Sequence, residues 1–303
     1  MALAAAQGVS AASAPGSADY AGLVDIGGRR MYLECRGRGS PVVVLVGGYK
    51  ASADDWTVSR KPGLDVFGGV AGFTRVCAYD RPGTPVGESP SRSDPVPQPT
   101  SAADAVRDLA ALLKAAGLPG PYLLVGHSYG GLIAKLHARI HAADVSGLVQ
   151  VDALTEGLQD AETPQQWALQ RVLAAGEISK APEDYPDLER MDIDLSFAQV
   201  RAAPPLKPMP LLVLSADHGW GPLFPGLIAA GQLPADTPPD FGYVVDAAQA
   251  EAQASLAASV PGALHITDTD SGHEIQKEQP QLVIDSIRKV VEAVQLGRTR
   301  LLP

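Results

Sequence analysis

Runs of apolar residues alternate with segments of helical periodicity along most of the chain. Residues 41–46 (PVVVLV) form an uninterrupted apolar run, which is typical of a strand buried on both faces. Apolar residues spaced three or four positions apart between such runs predict helices. The alternation of the two patterns predicts an α/β fold, a mostly parallel sheet flanked by helices. The other strands are predicted at residues 74–79, 122–125, 147–151, 211–214 and 263–267, after a hairpin over residues 18–35.

Local signals at the ends of elements support several of these assignments. Ser101 is followed three residues later by Asp104, a capping-box pattern that predicts the start of a helix. Pro280 stands where the first turn of a closing helix is predicted. Residues 82–100 contain six prolines and therefore predict a surface loop.

The regular alternation is interrupted once. Residues 154–208 are polar, acidic and helical in pattern, with prolines at both ends, which predicts a helical lid inserted into the sheet domain. The predicted division is therefore a core of residues 20–153 and 209–303 with a lid of residues 154–208. Residues 1–19 are Ala-rich and lack a basic start and a long apolar run, so a disordered tail and the remnant of an export signal both stay open.

The strongest chemical signal is Gly126-x-Ser128-x-Gly130, placed between a predicted strand and a predicted helix. A serine on such a sharp turn has an exposed hydroxyl, and glycines beside it avoid collisions with the neighbouring strand and helix. The N-terminus of the following helix offers N–H groups to a developing negative charge. Ser128 is therefore the predicted nucleophile.

A serine needs a base that removes its proton, and His273 is the predicted base. It follows the last predicted strand in a glycine-containing turn, from which it can reach over the carboxyl edge of the sheet. His127 is predicted to point elsewhere, and His265 to be structural. His137 and His141 have the spacing of zinc ligands, but the glutamate of an HExxH site is missing, so a solvated helix face is predicted there.

An acid is needed to orient the histidine, and two aspartates follow predicted strands. Asp217 follows the strand before the last and gives the chain order serine, aspartate, histidine, so it is the preferred acid. Asp152 follows the strand after the serine helix and is the alternative acid. Asp268 and Asp270 are more simply explained as caps of the turn before His273.

Two backbone amides are predicted to form an oxyanion hole. One is the N–H of Tyr129, directly after the nucleophile, and the other is the N–H of Tyr49, where Gly48 allows the backbone to approach closely. An ordinary Gly-Gly loop is the alternative for the second. The candidates for the substrate pocket are Gly48, Trp167, Trp220 and Phe224, with Leu195 and Phe197; the sequence also allows the aromatic residues and Leu195 to be ordinary core residues of the lid.

Composition argues against several classes of protein. The 303 residues carry 24 basic and 34 acidic side chains, a net charge of −10 without a basic cluster, which argues against nucleic acid as a partner. No apolar stretch approaches the roughly 20 residues of a membrane span. The two cysteines, Cys35 and Cys77, cannot form a CxxC metal site, and no metal is predicted. A disulfide between them and two buried thiols both stay open.

Four sequence elements together resemble the α/β-hydrolase fold family, over residues 20–296. They are GHSYGG at residues 126–131, the Gly47-Gly48 turn, YDRPG at residues 79–83 and SGH at residues 271–273. The resemblance implies an eight-stranded sheet, a lid after the sixth strand, and a catalytic triad of Ser128, Asp217 and His273. The chain departs from the family's sequence pattern at two places. Gly47-Gly48 stands where the family usually has His-Gly, and His218 stands near the position that often holds the catalytic acid.

The resemblance also implies that the strands of Cys35 and Cys77 are neighbours, so that a disulfide would fit. Such a bridge would close a loop of about 43 residues and contribute on the order of 4 kcal/mol to stability. It would favour an exported protein, whereas free thiols would favour the cytoplasm.

The sequence therefore predicts a carboxylesterase-like serine hydrolase that forms an acyl-enzyme with a small acyl substrate and needs no cofactor. A nucleophilic aspartate, as in other branches of the fold, is excluded because Ser128 occupies the turn. An amidase, thioesterase, acyltransferase or perhydrolase could use the same residues. From a different class, a ligand-binding protein without turnover is the alternative, and the oligomeric state stays open.

Overall fold

Eight strands form one sheet in the computed structural model, which describes residues 19–175 and 185–301. The spatial order is β1-β2-β4-β3-β5-β6-β7-β8, and the six strands from β3 onward are parallel to one another. The bounds are β1 Tyr20–Asp25, β2 Arg30–Arg36, β3 Val43–Val46, β4 Val76–Tyr79, β5 Tyr122–His127, β6 Val145–Val151, β7 Leu211–Leu214 and β8 Leu264–Ile266.

Helices cover both faces of the sheet. One face carries α1 and α10, which share a buried cluster with the side chains of β3 to β7, and the other carries α2, α3, α6 and α8. The bounds are α1 Val66–Ala71, α2 Ala102–Ala115, α3 Tyr129–Ile140, α4 Gly157–Asp160, α5 Pro164–Ala175, α6 Ile193–Ala202, α7 Phe224–Ala229, α8 Phe241–Ala258, α9 Ile275–Glu278 and α10 Pro280–Gln295.

The predicted architecture is confirmed: the sheet has eight strands, is mostly parallel and is flanked by helices. The predicted capping box is present, because the Ser101 hydroxyl accepts the N–H of Asp104 and the Asp104 carboxylate accepts the N–H of Ser101. The sequence did not predict α8, the longest of the described helices, nor the short helix α7 within the Gly/Pro-rich segment before it.

A disulfide joins the neighbouring strands β2 and β4. Cys35 in β2 lies directly opposite Cys77 in β4, and their sulfur atoms are bonded. Both side chains are fully buried. Of the two possibilities that the sequence left open for this pair, the structure shows the disulfide.

The helices between β6 and β7 dock closely on the rest of the molecule. Phe197 and Val200 of α6 belong to the same buried cluster as the sheet. The start of α2 donates to α6, because the Ala102 N–H binds Ser196 Oγ and the Ala103 N–H binds Gln199 Oε1, both at 2.9 Å. Part of the predicted lid, residues 176–184, and most of the predicted tail, residues 1–18, lie outside the described residues.

Within the described ranges, no helix is both long and apolar enough to cross a bilayer. The same ranges contain no group of three or more His, Cys, Asp or Glu side chains arranged to hold a metal ion.

Candidate active site

Ser128 lies on a sharp turn between β5 and α3. Its backbone has φ 50° and ψ −123°, which L-residues rarely adopt. The chain crowds this turn so closely that only glycine fits beside it: a Cβ on Gly126 would lie 2.4 Å from the Gly130 carbonyl oxygen. A Cβ on Gly130 would lie 2.1 Å from the carbonyl oxygen of Val46. The predicted strand–serine–helix turn is thus present, with the strain expected of an exposed nucleophile.

His273 is hydrogen-bonded to an aspartate, and that aspartate is Asp152. His273 Nδ1 lies 2.6 Å from Asp152 Oδ2, and the second carboxylate oxygen accepts the Ala216 N–H at 3.1 Å. Asp152 is almost fully buried, whereas about a quarter of the His273 side chain is exposed. Because Nδ1–H donates to the carboxylate, His273 Nε2 is left free to accept a proton.

The aspartate also determines the proton affinity of the histidine. Burial lowers the pKa of His273, but the hydrogen bond to Asp152 and the charge of Asp152 outweigh it, so that the pKa is raised above 6.5. His273 is therefore a stronger base than a free histidine side chain.

The structure does not bring Asp217, the preferred acid, to His273. Its carboxylate accepts the N–H groups of Asp270 at 3.1 Å and Ser271 at 2.9 Å, and the Thr269 hydroxyl at 3.2 Å. It is exposed and stabilises the turn that precedes the histidine. The physical reason is the strand order: β6, which Asp152 directly follows, is the neighbour of the serine strand β5, whereas β7 is one strand further away.

His127 binds the backbone of the loop that carries His273, a role that the sequence analysis did not predict. Its Nε2–H donates to the His273 carbonyl oxygen at 2.9 Å, and its Nδ1 lies 3.2 Å from the Gln276 side-chain amide, which donates to it. Burial and the nearby His273 lower the pKa of His127 well below 6.5, so this ring is neutral. The signal was present in the sequence only as a histidine directly before the serine.

The two predicted oxyanion donors lie on either side of the nucleophile. Tyr129 begins α3, and its N–H belongs to the first helical turn, where amides lack intrahelical partners. On the other side, a Cβ on Gly48 would lie 3.3 Å from Ser128 Cβ, so this loop passes directly over the serine. In the described part of the chain, the structure shows no acceptor for the N–H of Tyr49 or of Tyr129.

The residues predicted for the pocket separate into two groups. Gly48 contacts the serine, and the Trp220 ring lies 6.2 Å from the His273 ring with 42% of its surface exposed. Trp167, in contrast, stacks on Phe197 at 5.4 Å within the inserted helices, and Phe224 packs on Phe241. These last two residues of the prediction, Trp167 and Phe224, are buried by helix packing.

Among the described residues, Ser128 Oγ forms no hydrogen bond with His273. In ligand-free enzymes such contacts are often long and shorten when the reactant binds. What the geometry supplies is a partly exposed serine, a histidine with raised basicity and a correctly oriented tautomer, and two amides without acceptors in the described ranges. This set of groups suits nucleophilic attack on a carbonyl carbon.

The comparisons with known proteins agree with this architecture. The "Probable transporter efuK" of Hormonema carpetanum is 25% identical over 316 aligned residues, which cover 92% of this chain and 44% of that protein. The chain therefore spans less than half the length of this curated relative. The carboxylesterase CesB of Bacillus subtilis has a similar structure, with 15% identity and a TM-score of 0.57 over 90% of this chain and 91% of that one.

A thermophilic esterase from Thermogutta terrifontis is also similar, with 20% identity and a TM-score of 0.51 over 91% of this chain and 99% of its own. Likenesses at such identities show the fold. The sequence model of the Alpha/beta hydrolase family matches residues 42–286, which include every strand from β3 to β8. Because this match covers well over half of the chain and the sheet has the same architecture, the chain belongs to the alpha/beta hydrolase family.

Proposed function

We propose that the protein is a serine hydrolase that cleaves carboxylic esters through an acyl-enzyme. The observation that carries the proposal is the pairing of the strained Ser128 turn with the His273–Asp152 hydrogen bond of 2.6 Å. Family membership supports hydrolase chemistry in general, and an ester places less demand on the leaving group than an amide does, because an alcohol is a stronger acid than an amine.

In the proposed reaction, His273 Nε2 takes the proton of the Ser128 hydroxyl as its oxygen attacks the ester carbonyl carbon. The tetrahedral oxyanion accepts hydrogen bonds from the N–H groups of Tyr49 and Tyr129. Collapse breaks the bond to the alkoxy group, which leaves as an alcohol after taking the proton from His273. Water, activated by the same histidine, then releases the carboxylic acid and restores the serine.

Asp152 stabilises the charged imidazole that forms during both steps, because its carboxylate binds Nδ1–H throughout. This assigns the acid to the residue that was the alternative in the sequence analysis. Asp217 acts on the conformation of the histidine loop alone.

Exposed apolar side chains on the segment that carries Trp220, whose ring lies 6.2 Å from the His273 ring, favour a substrate with an apolar acyl group. Trp220, Leu223 and Tyr243 are exposed apolar side chains, and Tyr243 lies against Gly221, next to Trp220. The turn itself is held by Asp246, whose carboxylate accepts the N–H of Trp220 at 2.7 Å. Burying these side chains under an acyl chain would contribute about 25 cal/mol per Å² of apolar area.

The test is a time course with p-nitrophenyl esters of increasing acyl length, on the wild type and on Ser128→Ala, with fluorophosphonate labelling in parallel. We expect turnover and labelling of the wild type, loss of both in the variant, and a rise in kcat/KM with acyl length up to the size of the pocket. Labelling without turnover of any ester or thioester would indicate the ligand-binding alternative. Absence of labelling in folded wild type would refute Ser128 as nucleophile.

A further inference from the structure

Arg81 and Glu189 form an ion pair that is almost completely buried. Arg81 Nε lies 2.6 Å from Glu189 Oε1, and Arg81 Nη2 lies 3.1 Å from Glu189 Oε2, with 3% and 2% of the side chains exposed. Burying two charges costs about as much free energy as their attraction returns, so stability alone does not account for such a pair. What else the two side chains bind is therefore informative.

Arg81 and Glu189 form hydrogen bonds with three consecutive peptide groups in the loop of residues 47–50, which lies next to Ser128. Arg81 Nη1 donates to the Gly47 carbonyl at 2.7 Å, and Nη2 donates to the Gly48 carbonyl at 2.6 Å. Glu189 Oε2 accepts the N–H of Lys50 at 2.6 Å. The peptide groups 47–48, 48–49 and 49–50 are thus all fixed by one guanidinium–carboxylate unit.

The hydrogen bonds to these carbonyl groups also fix the orientation of the Tyr49 N–H, the proposed oxyanion donor. In a trans peptide the C=O and the N–H point in opposite directions, so the bond from Arg81 to the Gly48 carbonyl turns the Tyr49 N–H away from the guanidinium. That N–H has no acceptor in the described ranges, and the backbone of Gly48 lies against Ser128. The loop therefore presents a free donor beside the nucleophile.

Glu189 comes from the segment inserted between β6 and β7, and the contact is reinforced there. Its backbone N–H donates to the Gly83 carbonyl at 3.0 Å. Gly83 has φ 84°, and a Cβ on it would lie 2.5 Å from the Asp187 carbonyl oxygen, so the two segments meet backbone to backbone. The orientation of the oxyanion loop thus depends on a side chain that the inserted segment supplies.

We propose that Arg81 and Glu189 are positioning residues that preset the Tyr49 amide as an oxyanion donor. The inference rests on the proposed serine hydrolase function. The oxyanion develops only in the transition state, so losing the alignment lowers kcat and leaves KM nearly unchanged. Removal of one oxyanion donor typically lowers kcat by about 10²- to 10³-fold.

The experiment compares Glu189→Gln and Arg81→Lys with the wild type, using the best p-nitrophenyl ester and a trifluoromethyl ketone of the same acyl length. The ketone binds as a tetrahedral oxyanion. Arg81→Lys keeps the charge but loses the planar fork that reaches two carbonyls at once. We expect kcat to fall by about 10²-fold in both variants, KM to change less than about threefold, and ketone affinity to fall in parallel with kcat.

Glu156→Gln is the matched control. Glu156, also in the inserted segment, pairs with the largely buried Lys135 at 2.8 Å. Within residues 19–175 and 185–301 it forms no hydrogen bond or ion pair with residues 47–50. We expect its kcat and ketone affinity to stay within about twofold of the wild type. Equal losses in Glu156→Gln and Glu189→Gln would overturn the proposal, since they would reveal a general effect of breaking ion pairs.

Folded variants of Glu189 and Arg81 with wild-type kcat and ketone affinity would also overturn it. If the single variants do not fold, the double variant Arg81→Met/Glu189→Leu is used instead, because replacing both residues leaves no unpaired charge in the core. Retention of full kcat in that double variant would refute the positioning role. A wild type that neither turns over nor is labelled at Ser128 would refute the proposed function itself, whereas an active wild type with unaffected variants refutes this inference alone.

Discussion

Asp152 has a backbone φ of 39°, in the left-handed region, and its carboxylate is shared between the His273 ring and the Ala216 amide. Aspartate and asparagine tolerate this region better than most residues, so the position suits a short polar side chain. This makes asparagine a close replacement that keeps the backbone and changes only the charge.

Asp152→Asn is expected to lower kcat/KM by about 10³- to 10⁴-fold, because the neutral amide cannot stabilise the imidazolium and favours the wrong tautomer. The residual activity should also depend differently on pH. In the wild type, activity rises as pH increases through the raised pKa of His273; without Asp152 that pKa falls, so the acid limb moves to lower pH. A pH profile of kcat/KM measures both effects.

Asp217→Asn serves as the control for that prediction. It removes a charge from the Thr269–Ser271 turn but leaves the His273–Asp152 hydrogen bond intact, so we expect kcat/KM within a few-fold of the wild type and an unchanged acid limb. The reverse outcome, with Asp217→Asn the more damaging change, would return the acid to the sequence-based assignment.

Local sequence was enough to predict the places of Ser128 and His273, because each stands in a motif beside a recognisable strand. It preferred Asp217 to Asp152 as the acid, but both aspartates follow strands and stand between the serine and the histidine in the chain, so chain order does not separate them. The direction of a carboxylate depends on which donors surround it: the Ala216 N–H binds Asp152, whereas the Thr269 hydroxyl and the N–H groups of residues 270–271 bind Asp217. His137 shows the same limit: predicted on a solvated face, it is buried, because α3 is covered on nearly all sides.

At the scale of elements, the strands were the most predictable part of the fold. Their apolar runs are continuous because helices cover both faces of the sheet. The helices that alternate with the strands along the chain indicate parallel pairing. Helix α8 escaped prediction because residues 241–258 are rich in alanine and follow a Gly/Pro-rich segment, so no distinct apolar stripe marks them. The ion pair of Arg81 and Glu189 was not predicted either, because the two residues are 108 positions apart in the chain.

The β2–β4 disulfide leads to a stability prediction. Cys35 and Cys77 are 42 positions apart, so in the chain-entropy model the bond stabilises the fold by about 4 kcal/mol. Replacing both by alanine should reduce the free energy of unfolding in urea by about that amount. Dithiothreitol should destabilise the wild type and leave the double variant unchanged. An equal response of both proteins to the reductant would show that the thiols are not bonded.

On the scale of the whole molecule, the inserted helices share the main core. Phe197 of α6 is fully buried in the cluster that includes the sheet, and it stacks on Trp167 of α5. A segment joined to the core in this way should unfold with it in one transition.

Phe197→Ala is therefore expected to lower global stability by about 3–5 kcal/mol, the usual cost of emptying such a site. Tryptophan fluorescence and far-UV circular dichroism should report the same shifted midpoint. Leu195→Ala, on the same helix but 47% exposed, should change stability by less than about 0.5 kcal/mol. A fluorescence transition that moves alone in Phe197→Ala would show that the insertion unfolds independently.

The proposed catalytic residues follow three different strands: Ser128 follows β5, Asp152 follows β6, and His273 lies beyond β8, more than a hundred residues later. A cut in the exposed turn near residues 230–236 would leave the serine and the aspartate on one piece and the histidine on the other. Under the proposed mechanism neither piece is catalytic alone, and activity returns only when β8 of the second piece pairs with β7 of the first, which carries β1–β7. The protein is thus suited to use as a split reporter, in which hydrolysis signals that two fused partners have met.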